Sequence, residues 1–139
     1  MSESEGCVLR IATDAWVAQV FNMATYYTSS STKLKKDQTI IFIHKTDVGD
    51  SIVGYGVIQD IVDEEMLSSE EKRQCQKYGW KKAVEFSYVL RFEKPLLVKE
   101  TFFKDTKLRG RCFQGFRLSK EQVNTLVSQA EKSQRQCLR

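Results

Sequence analysis

Two β-rich runs joined by a short Gly/Asp turn constrain the fold of this chain more than any other feature. Residues 39–44 are rich in Ile and Phe, residues 47–50 read Asp-Val-Gly-Asp, and residues 52–62 form a second apolar run. This pattern predicts an antiparallel hairpin. Gly54 and Gly56 fall on one face of its second strand, where glycines mark a bend, a bulge or a close approach by backbone or a ligand. The sequence leaves two interpretations of this pair, curvature of a barrel wall and room for a ligand.

A short strand and a helix are predicted before this hairpin. Residues 8–11 read as the strand, and Thr13 or Asp14 can then accept a hydrogen bond from a backbone N–H in the first turn of the helix. The hydroxyl-rich run 28–32 is expected to end the helix. Its apolar face is expected to pack into the core, and at helical spacing it comprises Trp16, Val20, Met23, Ala24 and Tyr27.

The C-terminal half adds two helices and two strands. A polar surface helix is predicted at residues 63–76. Residues 84–92 are predicted to form a strand that is broken by Lys-Pro at 94–95. Residues 113–118 are the last strand candidate, and residues 119–122 form a capping box before a short amphipathic helix. This order of elements predicts an α+β fold, a mainly antiparallel barrel of about five or six strands with flanking helices and a C-terminal helix.

Length and composition set the class of protein. At 139 residues the chain is expected to be a single domain spanning 1–139, with its core at about 8–130. No apolar run approaches a membrane span, and the acidic, polar start is not typical of a targeting signal. The four cysteines are far apart and form no C-x-x-C pair. We therefore predict a cytoplasmic monomer with no membrane association, no metal site and no cofactor.

Charge is divided unevenly along the chain. Residues 1–71 carry five Lys/Arg against twelve Asp/Glu, and residues 72–139 carry seventeen against six, which gives net charges of −7 and +11. A basic half of this strength is expected in a protein that binds polyanions, because Lys/Arg–phosphate contacts dominate nucleic-acid affinity. The acidic half could dock a basic protein partner, and this leaves a protein-interaction adaptor as an alternative function.

Two basic segments are candidates for the nucleic-acid interface. In one, aromatic residues interleave with basic residues between positions 102 and 117; its cations are Lys104, Lys107, Arg109, Arg111 and Arg117. The other is the loop predicted at 77–82, which contains Lys77, Tyr78, Trp80, Lys81 and Lys82. Arginine and lysine contact phosphate while aromatic rings stack on bases. Both segments also fit a plainer interpretation, a solvated charged loop above core aromatics.

Four segments, taken in order, resemble the PUA-like superfamily, and within it the EVE/ASCH/YTH group. Residues 34–43 are similar to a "pGD" turn that leads into an apolar strand, and residues 52–58 are similar to an "IVGxxxV" strand. The strand at 86–92 followed by Lys-Pro-Leu, and the closing strand and capped helix at 115–122, complete the order. The chain departs from the group in having Lys36-Asp37 in place of Gly-Asp, and no pair of tryptophans aligns with a cage for a methylated base.

This resemblance implies a pseudo-barrel that binds RNA or a modified base between the barrel and its helices. The implied pocket is bordered by Tyr26, Tyr27, His44, Tyr55 and Arg111. We predict a non-catalytic RNA- or modified-nucleotide-binding module whose ligand is bound and not converted. Together with the basic segments, the predicted binding residues are Tyr26, Tyr27, His44, Lys45, Tyr55, Lys77, Trp80, Lys81, Lys82, Lys107, Arg109 and Arg111.

The resemblance also leaves an enzymatic alternative. Some ASCH-type proteins are small amidohydrolases that use a Lys/Thr/Glu set, and Thr39, Lys45 and Glu85 are the residues that could fill these roles on a modified nucleoside. The N-terminal signature of those enzymes is not visible in this chain. Binding without catalysis is therefore the favoured prediction.

Overall fold

The structure of the protein, a computed structural model, describes residues 6–29, 33–105 and 115–137. In these residues six strands form one sheet that carries three α-helices. The strands are β1 (Gly6–Ile11), β2 (Thr25–Thr28), β3 (Thr39–Thr46), β4 (Gly49–Asp63), β5 (Lys82–Leu97) and β6 (Arg117–Leu118). The helices are α1 (Asp14–Met23), α2 (Ser69–Tyr78) and α3 (Lys120–Cys137), and short 3₁₀ turns lie at Glu64–Met66, Val98–Glu100 and Phe102–Asp105.

The sheet has the strand order β2-β5-β4-β3-β1-β6. β1 pairs with β3 in parallel, and every other pairing is antiparallel. This confirms the predicted α+β class, the strand number and the C-terminal helix. The sheet is curled but does not close into a barrel in the described residues, where β2 and β6 form its two edges. A side-chain contact spans the opening: the Tyr26 hydroxyl on β2 donates to the Arg10 carbonyl on β1 at 3.3 Å. We call this opening the seam.

Alternating side chains of the sheet enter two separate cores, because successive residues of a strand point to opposite faces. On one face, α3 packs Leu126 and Ala130 against Val8 and Ile41. On the other face, α1 packs its side chains against a group that includes Leu9, Phe42 and Ile58. The two helices therefore cover opposite faces of the sheet, and the seam lies on the α1 side.

The predicted hairpin and capping box are both confirmed. β3 and β4 pair up to Thr46 opposite Gly49, which adopts a positive φ of 121° that favours glycine. At the start of α3 the Ser119 backbone N–H donates to Gln122 Oε1 at 3.0 Å, and the Gln122 N–H donates to Ser119 Oγ at 3.1 Å. The predicted apolar face of this helix is buried or half-buried at Val123, Leu126, Val127 and Ala130.

The first helix is shorter than predicted. It ends at Met23, which is 63% exposed, and Ala24 takes the left-handed conformation with φ 51°. Residues 25–28, expected as helix and loop, instead form β2, which pairs with residues 82–85 of β5. The reason is local, because Thr-Tyr-Tyr-Thr consists of β-branched and aromatic residues that suit a half-buried strand. The prediction was wrong because the apolar spacing of Tyr27 fits a helix equally well.

Two predicted boundaries in the C-terminal half were also wrong. The helical stretch expected at 63–76 is divided into a 3₁₀ turn and α2, and Ser68 caps α2 by accepting from the Glu71 N–H at 3.2 Å. β5 does not end at Lys94-Pro95, although its pairing is interrupted there. Because Arg91 pairs with Gly54 and Leu96 with Ile52, residues 92–95 bulge out opposite a single residue of β4.

None of the described helices is both long enough and apolar enough to cross a bilayer.

Candidate functional site

A small cavity lies at the seam, where the end of β1, the first turns of α1 and the strand β2 meet. Its volume is about 150 Å³, and we call it the seam pocket. Its lining combines aromatic rings with an arginine, an amide and two hydroxyls; the lining residues are Arg10, Ile11, Ala12, Trp16, Gln19, Val20, Tyr26, Tyr27, Thr28, Ser29 and Trp80.

Four aromatic rings meet beside the seam pocket and form what we call the aromatic wall. The Trp80 ring stacks with Tyr27 at 5.1 Å and with Tyr78 at 4.6 Å between ring centroids, with interplanar angles of 12° and 27°. Trp16 meets Trp80 edge-on at 5.4 Å and Tyr78 at 5.6 Å. Both tryptophans of the chain are therefore in direct contact and half-buried at one site.

Three elements position the wall. Thr13 caps α1 by accepting from the Trp16 N–H at 3.2 Å, which fixes the first turn that carries Trp16. Gly79 ends α2 with a positive φ of 73°, and the Trp80 N–H then donates to the Cys75 carbonyl at 2.9 Å. Tyr27 is held on β2 by its pairing with Ala83 of β5. The backbone of each ring is thus fixed by hydrogen bonds close to it.

A second, wider groove lies on the other side of the wall, between α1 and α2. It has a volume of about 640 Å³ and shares Trp16, Gln19, Tyr27 and Trp80 with the seam pocket. We call it the α2 groove, and the two together the aromatic cleft. The residues that it adds are Met23, Thr25, Glu70, Glu71, Gln74, Lys77 and Tyr78.

A hydrogen bond links the wall to an acidic side chain of α2. The Tyr27 hydroxyl donates to Glu71 Oε2 at 2.7 Å, and the Ser68 hydroxyl donates to Glu71 Oε1 at 2.9 Å. Burial, followed by this bond to Glu71, raises the pKa of the Tyr27 hydroxyl above its ordinary value. The bond from Tyr27 lowers the pKa of the Glu71 carboxyl. Glu71 is consequently an anion at neutral pH, hydrogen-bonded to a neutral tyrosine.

The substitution Tyr27→Phe is expected to remove a pH-dependent part of the stability. Because the pKa of Glu71 is lower in the folded than in the unfolded state, the bond contributes stability that is present above the unfolded pKa of about 4.3 and is lost as pH falls through the folded pKa. We expect the free energy of unfolding of the variant to be lower than that of the unmodified protein by about 1 kcal/mol at pH 7, and by less below about pH 4. Urea unfolding at several pH values measures this difference. Tyr88→Phe is the control. A loss of stability in Tyr27→Phe that stays constant with pH would contradict a pH-dependent hydrogen bond to Glu71.

Several of the predicted binding residues come together at this cleft. Tyr26, Tyr27 and Trp80 line the seam pocket, and Lys77 lines the α2 groove. Lys77 is the penultimate residue of α2 and not part of a loop as predicted, while Lys81 and Lys82 follow the wall directly along the chain. Trp16 was expected in the core; it packs against the core on the α1 side but is only half-buried and lines the pocket. Gln19, which the sequence did not single out, is also half-buried there.

His44, Lys45 and Tyr55 lie elsewhere. His44 is buried and joins β3 to the start of α1: its Nδ1 lies 2.8 Å from the Ile11 carbonyl and its Nε2 2.7 Å from Asp14 Oδ1. Lys45 is exposed near the tip of the β3–β4 hairpin. Tyr55 belongs to the core under α3, on the opposite face of the sheet from the cleft.

The space expected beside Gly54 and Gly56 is filled by the protein itself. A Cβ on Gly54 would lie directly against the Leu90 carbonyl oxygen and 2.6 Å from Cζ of Phe21. A Cβ on Gly56 would lie 2.9 Å from Val89 and 3.1 Å from the Phe86 ring. The glycines therefore allow a close approach of strand and side chains, and the idea that they leave room for a base was wrong.

The basic segment 104–117 is only partly within the described residues. Lys107, Arg109 and Arg111 lie outside them, while Lys104 and Arg117 are exposed. Phe103 is buried and Phe116 packs against the same core, as expected for core phenylalanines. The amidohydrolase set is not assembled. Thr39 and Lys45 are six positions apart on β3, or about 20 Å at roughly 3.3 Å per residue, and Glu85 lies on β5 opposite Thr25 of β2.

The fold of the chain is shared by solved structures of low sequence identity. An ASCH protein from Zymomonas mobilis is 14% identical, with a TM-score of 0.65, and the alignment covers 91% of this chain and 96% of that chain. A variant of that protein with a serine replaced by alanine is 15% identical, with a TM-score of 0.65 and coverages of 93% and 99%. The Mmi1 YTH domain is 8% identical, with a TM-score of 0.59 and coverages of 92% and 88%. No protein-family model and no curated protein matches the sequence.

These likenesses confirm the PUA-like fold that the order of the motifs predicted. At such low identity they establish the fold alone.

Proposed function

We propose that this protein is an RNA-binding module that holds one unpaired base in the aromatic cleft without converting it. The aromatic wall carries the proposal. Trp16, Tyr27 and Trp80 line both the seam pocket, of about 150 Å³, and the α2 groove, of about 640 Å³, which has room for a two-ring purine. Proteins that recognise single-stranded RNA stack splayed-out bases on aromatic side chains and read their edges by hydrogen bonds.

Polar groups at the pocket are suited to the edge of a base. Gln19 supplies an amide that both donates and accepts, and Thr28 and Ser29 supply hydroxyls. The pocket also lies beside β2, one of the two edge strands of the sheet in the described residues, and edge strands present backbone N–H and C=O groups. Stacking and hydrogen bonding are therefore both available at the cleft.

Lysines near the cleft supply contacts for the phosphates. Lys77 and Lys81 are exposed at its margin, and Lys82 begins β5 next to them. Lys107, Arg109 and Arg111 remain a second candidate path for the RNA backbone. The net charge of +11 on residues 72–139 is larger than Lys77, Lys81 and Lys82 alone provide. Binding without turnover is supported by the separation of Thr39, Lys45 and Glu85.

The test is a titration of single-stranded RNA and of a duplex of the same sequence, followed by fluorescence anisotropy at several salt concentrations. We expect the single strand to bind more tightly. The logarithm of its affinity should fall with the logarithm of salt by about 0.7 for each phosphate contacted. Absence of binding even at low salt would refute the proposal and favour the adaptor function.

A pair of variants locates the phosphate path. Lys77→Ala/Lys81→Ala should reduce the salt slope by about 0.7 for each lost phosphate contact, with the fold unchanged. Lys99→Ala/Lys120→Ala is the matched control, because these exposed lysines adjoin the α3 side of the sheet. If the slope changes only in Arg109→Ala/Arg111→Ala, the backbone follows the second path. Turnover of an N-acylated nucleoside that is lost in Lys45→Ala would instead establish an amidohydrolase.

The remaining expectations belong to the same proposal: a single domain, a monomer, and a cytoplasmic location. The buried free thiols of Cys7 and Cys75 are consistent with a reducing compartment. A protein partner bound through the acidic N-terminal half remains compatible with RNA binding. Size-exclusion chromatography with light scattering measures the oligomeric state, and a dimer mass would contradict the monomer.

A further inference from the structure

The α2 groove combines aromatic faces with carboxylates in a way that favours positive charge. Tyr27, Tyr78 and both tryptophans contribute rings, and Glu70 and Glu71 contribute acids. The face of an aromatic ring carries negative potential and attracts cations within about 6 Å of its centroid. No salt bridge involves either glutamate in the described parts of the chain, so no basic side chain compensates these charges through an ion pair.

A cation already occupies one of these faces. Nζ of Lys77 lies 5.3 Å from the centroid of the Tyr78 ring, which is itself 47% exposed. This lysine is on the surface at the end of α2, and its flexible side chain can leave the ring when another cation arrives. The exposed ring of Tyr78 therefore already carries a cation, which comes from its neighbour in the sequence.

We infer that the aromatic cleft selects a nucleobase that carries a delocalised positive charge, such as methylation of a ring nitrogen produces. This inference rests on the proposed function, because it names the class of base that the cleft takes. A ring in the α2 groove lies beside the rings of Tyr27 and Tyr78 and beside the Glu71 carboxylate, which accepts from the Tyr27 hydroxyl at 2.7 Å. The positive ring gains both from the aromatic faces and from the two carboxylates, whereas a neutral ring gains only from stacking.

The carboxylates also orient the ligand. Glu70 and Glu71 repel a phosphate from their part of the α2 groove, and the exposed Lys77 and Lys81 attract it at the margin of the cleft. The base therefore faces the glutamates, and the sugar and phosphate leave the cleft toward the lysines.

Two isomeric nucleosides test the inference. N1-methyladenosine and N6-methyladenosine have the same atoms, but the first is a cation near neutral pH and the second is neutral. Both tryptophans of the chain lie at the cleft, so quenching of intrinsic fluorescence reports on this site. We expect the cationic isomer to bind about tenfold more tightly or better, which matches a desolvated cation–π contact. The pair 7-methylguanosine and guanosine repeats the comparison on a purine with a different edge.

Matched variants identify the source of the preference. Glu70→Gln/Glu71→Gln should reduce it to about twofold, since the amide oxygen at position 71 can still accept from Tyr27. Glu93→Gln, an exposed glutamate on the bulge of β5, should leave it unchanged. A preference that survives in the double variant would overturn the role of the carboxylates and with it the inference.

The other outcomes separate this inference from the proposed function. Equal binding of the two isomers, or tighter binding of the neutral one, overturns the inference and leaves RNA binding intact. RNA binding with no quenching by any nucleoside also overturns it, because the bases then lie outside the cleft. A trimethyllysine peptide that binds where nucleosides do not would assign the cleft to a protein ligand. Absence of both RNA and nucleoside binding refutes the proposed function itself.

Discussion

The substitution Gly54→Ala is expected to destabilise the protein by about 3 kcal/mol, the upper part of the usual range for an overpacked core. The new methyl group would meet the Leu90 carbonyl oxygen and the ring of Phe21, whose Cζ is 2.6 Å away. The ring can rotate, but the carbonyl belongs to β5, which pairs with β4 at this point, so the two strands have to separate locally. Urea unfolding followed by circular dichroism measures the loss.

Gly56→Ala is the matched control, two residues along the same strand. Its Cβ would lie 2.9 Å from a methyl group of Val89, a side chain that can move, and 3.1 Å from the Tyr88 carbonyl oxygen. We expect it to cost about 1 kcal/mol. Equal losses in the two variants would show that strand propensity, and not the contact with Leu90 and Phe21, explains the glycine at position 54.

These glycines show why a sequence specifies a fold more readily than a site. Their presence inside an apolar strand correctly indicated a close approach. Which atoms approach depends on α1, because Phe21 reaches Gly54 only after the helix has packed on the sheet. The hairpin, the capping box and the apolar face of the C-terminal helix follow from patterns within a few residues, so they were predictable. The residue that packs against a glycine from across the core could not be predicted in this way.

The aromatic wall illustrates the same limit. Trp16 and Trp80 are far apart in sequence and meet at 5.4 Å because α1 and the end of α2 flank the seam. Trp16 lies on an apolar helical face, which ordinarily means core, and only the ending of α1 at Met23 brings β2 and Tyr27 alongside it. The signal that could have indicated this is the Thr-Tyr-Tyr-Thr run, whose strand propensity conflicts with a continued helix.

The substitution Trp80→Ala is expected to weaken binding of single-stranded RNA at least tenfold. Stacking of a base on an aromatic side chain contributes about 1–3 kcal/mol by alanine substitution. Trp80 also supports Trp16, Tyr27 and Tyr78 by direct ring contacts, so its loss disorganises the whole wall. Anisotropy at one fixed salt concentration measures the affinity, and the loss should be the same at every salt concentration because no phosphate contact is removed.

Two further variants distinguish a lost stacking surface from a lost fold. Trp80→Phe retains a ring above Cys75 and Ala83, so we expect near-native stability and a loss of binding of about threefold to fivefold. Tyr88→Ala removes a ring that is 53% exposed on β5 and does not line the cleft, and it should bind RNA as the unmodified protein does. If Tyr88→Ala weakened binding as much as Trp80→Ala, the outer surface of β5 would be the interface. If a folded Trp80→Phe bound without loss, the base would not stack on the aromatic wall.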